Sequence, residues 1–185
     1  NAVEPLKGWF TMCADVFKHI MVHNAEFAET FADGHLPAQP QSRLAVLTCM
    51  DARIDVYRIL GLKHGDAHII RNAGGIASED AIRSLLISHH QLKTDTFMVI
   101  NHTDCGLMTF TDRDLRDRLK KETGVEASSP SSFHVFDNLE RNVRKQVDNI
   151  VSHPHQGTRR EGPCGDQRHV VGLIDPPRCA GRVVT

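Results

Sequence analysis

The sequence lacks a charge imbalance. Across 185 residues, 22 lysines and arginines face 23 aspartates and glutamates, for a formal net charge of -1. Such a balance makes no electrostatic case for a nucleic acid or an anionic membrane as partner. No apolar run approaches the roughly 20 residues that span a bilayer. Residues Asn1 to Gly8 do not form a basic stretch followed by an apolar one, so no secretory signal is read there. The five cysteines are odd in number and are not spaced like a small disulfide scaffold. Reduced thiols in a cytoplasmic protein are the simpler reading. Cys164 and Cys179 could pair across the tail, but free thiols suit that compartment better.

The composition itself, 40% hydrophobic and 24% charged, is that of a globular protein, long enough to bury a core as one domain. Three parts are expected within it: a helical arm over 1–36, an α/β core over 43–151, and a tail over 152–185. In the arm, Trp9, Cys13, Val16, Phe17, Ile20 and Met21 recur at helical spacing, and Phe27 and Phe31 extend the face. The stripe predicts a helix turned onto the core, with a face packed on another subunit as the alternative.

The core alternates strand and helix. Leu44–Thr48 is an apolar run fit for a buried parallel strand, ending at Cys49. A helix from about Asp55 to Leu60 follows, then a strand at His68–Ile70 that runs into Arg71-Asn-Ala-Gly-Gly75. Ser78 or Glu79 opens a helix through Leu92, and Phe97–Ile100 is a third strand ending at Asn101-His102. The order predicts a mainly parallel β-sheet flanked by helices. Thr111 to Glu122 reads as a charged surface helix, and Val135, Phe136, Leu139, Val143, Val147 and Ile150 mark an amphipathic one. In the tail, His153 to Gln167 reads as an irregular connection. His169–Ile174 is a candidate edge strand, stopped by Asp175-Pro-Pro177.

Two strand ends carry the chemistry. The first continues as Cys49-Met-Asp51-Ala-Arg53 and the third as His102-Thr-Asp-Cys105-Gly106. Ligand sites in open parallel sheets gather outside the carboxyl ends of strands, so the two motifs can converge if strands one and three are neighbours. Cys49, His102 and Cys105 form a borderline-soft set suited to tetrahedral zinc, one Zn2+ per chain, with a fourth position left for water or substrate. Asp51 can orient that water or swing in as a fourth ligand, and Arg53 can hold it off the metal through a bidentate bond. The Ala73-Gly74-Gly75 turn and Gly106 are candidates for lining the substrate pocket, since glycine permits close backbone approach; a tight turn explains them equally well. His89, His90, His153 and His155 read as solvated or packed side chains.

The stretch CMDARIDVYRILGLKHGDAHIIRNAGG, with the following helix and NHTDCG, resembles the β-class carbonic anhydrases from about Leu44 to Asp112. The resemblance implies a zinc site of Cys49, His102 and Cys105, with Asp51 and Arg53 as a catalytic pair. It also implies a homodimer or homotetramer in which the N-terminal helix lies across a partner. Relatives in that family hydrolyse carbonyl sulfide or carbon disulfide with the same ligands. Three features depart from the commoner pattern: Ala52 in place of serine, Thr103-Asp104 between the later ligands, and a proline-interrupted C-terminal segment. Zinc-hydroxide attack on carbon dioxide, giving bicarbonate, is the expected activity, with carbonyl sulfide hydrolysis as its alternative. Two thiolates cancel the formal charge of zinc, which predicts activity rising above about pH 7. A non-catalytic zinc scaffold, and a Cys49–Cys105 redox pair without zinc, are the competing readings.

Overall fold

The computed structural model describes residues 6–155, 169–175 and 182–184, with side chains described from Asp15 to His155. Two compact units divide between Pro37 and Ala38. In the first, α1 runs over Leu6–Thr30 and a 3-10 turn over Asp33–His35. The expectation of a core-facing helix is not met: every described side chain of α1 is exposed, with Phe17 at 67% and Met21 at 64%. Among the described residues of this unit no second long element offers the stripe a surface to bury against. Trp9 and Cys13 lie outside the residues whose side chains are described, as do Cys164 and Cys179.

The second unit is built on a five-stranded sheet. Its elements are β1 (Leu44–Cys49), α2 (Val56–Leu60), β2 (Ala67–Asn72), α3 (Glu79–His90), β3 (Thr96–His102), α4 (Asp112–Thr123), α5 (Leu139–Val151), β4 (His169–Asp175) and β5 (Arg182–Val184). The strand order is β2-β1-β3-β4-β5. The first four strands pair in parallel, and β5 closes the sheet antiparallel to β4. The strand expected at an edge, His169–Ile174, is therefore interior, because the chain resumes after Asp175 and lays β5 along its free side. Pro176 and Pro177 and the connection from 156 to 168 lie outside the described residues.

Strand β1 is buried from Ala45 to Cys49 because both its faces are covered. Ala45 and Leu47 point into a cluster with Ala81, Ile82 and Leu85 of α3, Phe97 and Val99 of β3, and Ile150 of α5. The alternate residue Val46 points the other way, with Ile54, Val56, Ile76, Ile100 and Leu107. Period-two alternation thus feeds two clusters, one on each side of the central strands.

Side-chain caps set the helix starts: Asp55 accepts from the Arg58 amide, Ser78 from Ala81, and Thr111 forms a reciprocal capping box with Asp114. Helix α5 starts later than its apolar pattern suggests. The Asn138 side chain caps the Arg141 amide, and His134 upstream takes a φ of 57°, which no helix accommodates. Val135 and Phe136 precede the helix and pack on the second cluster instead.

Candidate metal centre

The chain leaves β1 for β2 on one side and returns to β3 on the other, so the order in which strands are added reverses between β1 and β3. Such a switch point opens a crevice at the carboxyl ends of those two strands. Cys49 is the last residue of β1 and His102 the last of β3. Cys105 follows in a tight turn that Asp104 makes with a φ of 54°. One donor atom from each of the three residues lies within 4.8 Å of the others. All three residues are buried, at 5%, 4% and 2% exposure. Asp51 stands beside this set rather than in it.

The arrangement fits a metal ion on two counts. The sulfurs of Cys49 and Cys105 are 4.0 Å apart, far beyond a disulfide bond and near the roughly 3.8 Å that a tetrahedral centre with metal–sulfur bonds of about 2.3 Å requires. The Nε2 atom of His102 is buried without a hydrogen-bond partner. An orphaned buried nitrogen costs about 1–3 kcal/mol, a penalty that coordination would remove. The Cys49 thiol is pulled down to about 4, first by the hydrogen bond from Cys105 and against the effect of burial. Cys105 is pushed up by the same contact and by its own burial. The opposite shifts make Cys49 the more readily ionised of the two, and a metal bound by both sulfurs would have to displace the remaining proton.

Asp51 and Arg53 form the outer wall. Arg53 donates from Nε to Oδ1 at 2.9 Å and from Nη2 to Oδ2 at 2.8 Å, and its backbone amide also donates to Oδ1 at 2.9 Å. These bonds hold the Asp51 carboxyl well below the usual carboxylate range. Oδ2 sits 3.8 Å from His102 Nε2, on the side of the ligand cluster. Arg53 also donates to the Asp104 carbonyl at 3.2 Å, tying the two ligand loops together. Arg71, read in the sequence only as the end of a strand, clamps the same loop: it donates to the Cys49 carbonyl at 3.1 Å and to the Asp51 carbonyl at 2.7 Å.

The glycine turn after β2 reaches the ligands through its backbone. The Gly74 amide donates to Cys49 Sγ at 3.4 Å. Gly74 and Gly75 have φ of 80° and 61°, and a Cβ on either would meet a side chain, Leu107 at 2.4 Å or Asn101 at 2.7 Å. Close packing against the ligand-bearing strands therefore requires both glycines, whatever they do for a substrate. Ala73 is exposed. A Cβ on Gly106 would meet nothing within 4 Å and its backbone is not left-handed, so the turn after Cys105 makes no demand for glycine. The side chain that makes Gly75 necessary belongs to Asn101, and behind it stand Asn142 and Gln146 of α5, which the sequence reading passed over. The available signal was two amides, at i and i+4, on the apolar face of a strongly amphipathic helix.

A parallel sheet with a Cys-His-Cys cluster at its switch point defines a metalloprotein of the α/β class, and comparison with known proteins gives the family. The family profile described as carbonic anhydrase matches residues 44–172. The protein named Beta-carbonic anhydrase 1 of Mycobacterium tuberculosis is 46% identical over 114 residues, 61% of this chain and 69% of that one. The carbon disulfide hydrolase of Saccharolobus solfataricus is 52% identical over 69 residues, covering 37% of this chain and 34% of that one. The crystal structure of carbonic anhydrase from Streptococcus mutans superposes with a TM-score of 0.81 at 35% identity, covering 91% of this chain and 97% of that one. The chain belongs to the β-carbonic anhydrase family and is an enzyme of that family. No described helix is long and apolar enough to cross a membrane.

Proposed function

We propose that this chain holds one zinc ion through Cys49, His102 and Cys105 and hydrates carbon dioxide reversibly to bicarbonate and a proton. The observation that carries the reading is the convergence of three buried donors, one of them the unpartnered His102 Nε2, beside a carboxylate fixed by Arg53. When bound, zinc supplies a Lewis acid that lowers the pKa of water toward neutrality. Two of the three contacts on Asp51 fall on Oδ1 and one on Oδ2, which leaves Oδ2 a second lone pair to accept a hydrogen bond from the attacking water and so aim the water's lone pair at the substrate carbon. Arg53 holds the carboxylate in that place and keeps it out of the ligand set. The Ala73-Gly74-Gly75 turn lines the mouth, and Gly74 steadies the Cys49 sulfur.

The similarity to a carbon disulfide hydrolase favours a second reading, hydrolysis of a linear sulfur-containing substrate such as carbonyl sulfide. The longer match to Beta-carbonic anhydrase 1 supports carbon dioxide as the first. Exposed Val16, Phe17, Ile20, Met21 and Phe27 on α1 support assembly through the arm as a homodimer or homotetramer. Two buried free thiols 4.0 Å apart suit a reducing, cytoplasmic setting.

Turnover of carbon dioxide and of carbonyl sulfide by one zinc-quantified sample, across pH, tests the reading. Fast hydration with little sulfide release, rising above about pH 7, is the expected result. Preferential sulfide release selects the second reading, and a pH-independent rate contradicts the mechanism. Full zinc occupancy with neither activity returns the site to a scaffold role.

A further inference from the structure

Behind the ligands runs a chain of buried amides whose polarity is fixed from one end. The Ala77 backbone amide donates to Gln146 Oε1 at 2.9 Å, so Gln146 must present its Nε2 to the next member, and it donates to Asn142 Oδ1 at 2.8 Å. Asn142 Nδ2 then donates to Asn101 Oδ1 at 2.7 Å, and Asn101 Nδ2 donates to the Gly74 carbonyl at 2.9 Å and to the Ile100 carbonyl at 3.1 Å. Gly74 in turn donates its N–H to Cys49 Sγ. The three side chains are buried, at 2%, 5% and 1% exposure. Burial gives water little access to their bonds, and reversing any one amide would set oxygen against oxygen down the line. A second observation points the same way. Gly75 has no room for a Cβ because Asn101 Nδ2 occupies that space, so the turn is moulded on the amide chain.

We propose that Asn142 and Gln146, on α5 and outside both ligand motifs, are positioning residues of the metal centre: through Asn101 they hold the Gly74 N–H on the Cys49 sulfur and so set how firmly that sulfur binds the metal. The inference rests on the zinc-site reading above. A thiolate that accepts a hydrogen bond from a fixed backbone amide keeps its orientation, and outer contacts of this kind typically matter by about 10–100-fold in metal affinity. At a pH where the new carboxyl is ionised, Asn142→Asp changes one atom group and almost no volume, yet places a carboxylate oxygen against Asn101 Oδ1. The Asn101 amide then turns over, and its oxygen faces the Gly74 carbonyl.

The test uses the full chain loaded with Co(II) or zinc. It compares wild type, Asn142→Asp, Gln146→Met and, as a packing control, Val143→Ala, whose side chain is fully buried on the same helix. The sulfur-to-cobalt charge-transfer band and the rate of zinc release to a chelator are read in each. Asn142→Asp and Gln146→Met should both shift the band and speed release by about tenfold or more. Val143→Ala should lower the melting temperature with band unmoved and release within about twofold. Either amide variant suffices should the other fail to fold. Unchanged band and release rate in the folded amide variants, or an equal change in Val143→Ala, would overturn the proposal. Failure of wild type to take up Co(II) with a thiolate spectrum would instead overturn the metal reading.

Discussion

The two sides of Cys49 are built from different materials. Toward solvent stand charges: Asp51 with its side chain 17% exposed, Arg53 at 61%, and Arg71 reaching over the Cys49 and Asp51 carbonyls. Toward the interior stand neutral amides, Asn101, Asn142 and Gln146, all nearly inaccessible. The outer side bonds the Cys49 loop directly, and the inner side reaches Cys49 through the Gly74 turn. Charges serve where water can share their solvation, whereas in the core an ion would lose several kcal/mol of hydration and a fully satisfied amide loses little. The outer side can therefore orient a reacting group, and the inner side can only hold the frame.

The largest effect comes from removing what both sides support. Cys105→Ser should lower metal affinity by more than about 100-fold, since outer contacts alone are worth about 10–100-fold, and metal content after dialysis checks it. The outer side breaks next. Arg53→Ala should cut turnover by about 100-fold with zinc still stoichiometric, the signature of a lost orienting group; undiminished turnover would remove Arg53 from the mechanism. On the inner side, Gly75→Ala forces a Cβ onto Asn101 in a left-handed backbone and should cost about 2–3 kcal/mol in denaturant unfolding. Gly106→Ala, with open space around it, should stay within about 0.5 kcal/mol. Equal losses at the two glycines would erase the contrast between them.

Acid sensitivity is the smallest effect and belongs to the outer side alone. Arg53 holds the folded-state Asp51 carboxyl below its unfolded value of about 3.9. The pair's stabilisation is thus complete above that pH and disappears only as pH falls through the lower folded value. Arg53→Ala removes the largest cause of the shift but keeps the residue-53 backbone N–H on Oδ1, so the carboxyl should titrate part of the way back toward its unfolded value in the metal-free protein. A carbon-detected NMR titration of Asp51 reads this directly. Solvent screening around Arg53 keeps the energy small. Neutral amides offer no matching titration, which is itself a check on the comparison.

The same division explains what could be read from the sequence. Strands β1 and β3 were legible because doubly covered strands are continuous apolar runs, and the metal-type residues sat at their ends; β2, a half-buried edge strand, showed only the short run His68-Ile-Ile70. The pairing of Asp51 and Arg53 was legible because two opposite charges, two and four positions after a candidate ligand cysteine, have few other uses. The amide chain was not: Asn142 and Gln146 look like ordinary helix residues until the tertiary structure puts Asn101 and Ala77 in front of them. The start of α5 was misplaced because Val135 and Phe136 continue its apolar spacing, while the cap at Asn138 and the backbone at His134 decide against a helix. The interior position of β4 depended on a three-residue strand, Arg182–Val184, too short to carry a pattern.

The placement of Cys49 and His102 on neighbouring parallel strands has a consequence for how the molecule is made. During synthesis Cys49 emerges 53 positions ahead of His102, an interval of about 3–11 s at about 5–20 residues per second. Throughout it the first thiol has no ligand partner, because the strand that carries His102 does not yet exist. Parallel pairing across such a distance is also among the slower steps of folding, since the connecting chain must close before any contact forms. An ion held by both Cys49 and His102 would need a chain that has already docked β3 beside β1, so its uptake would mark the moment at which those two strands become neighbours.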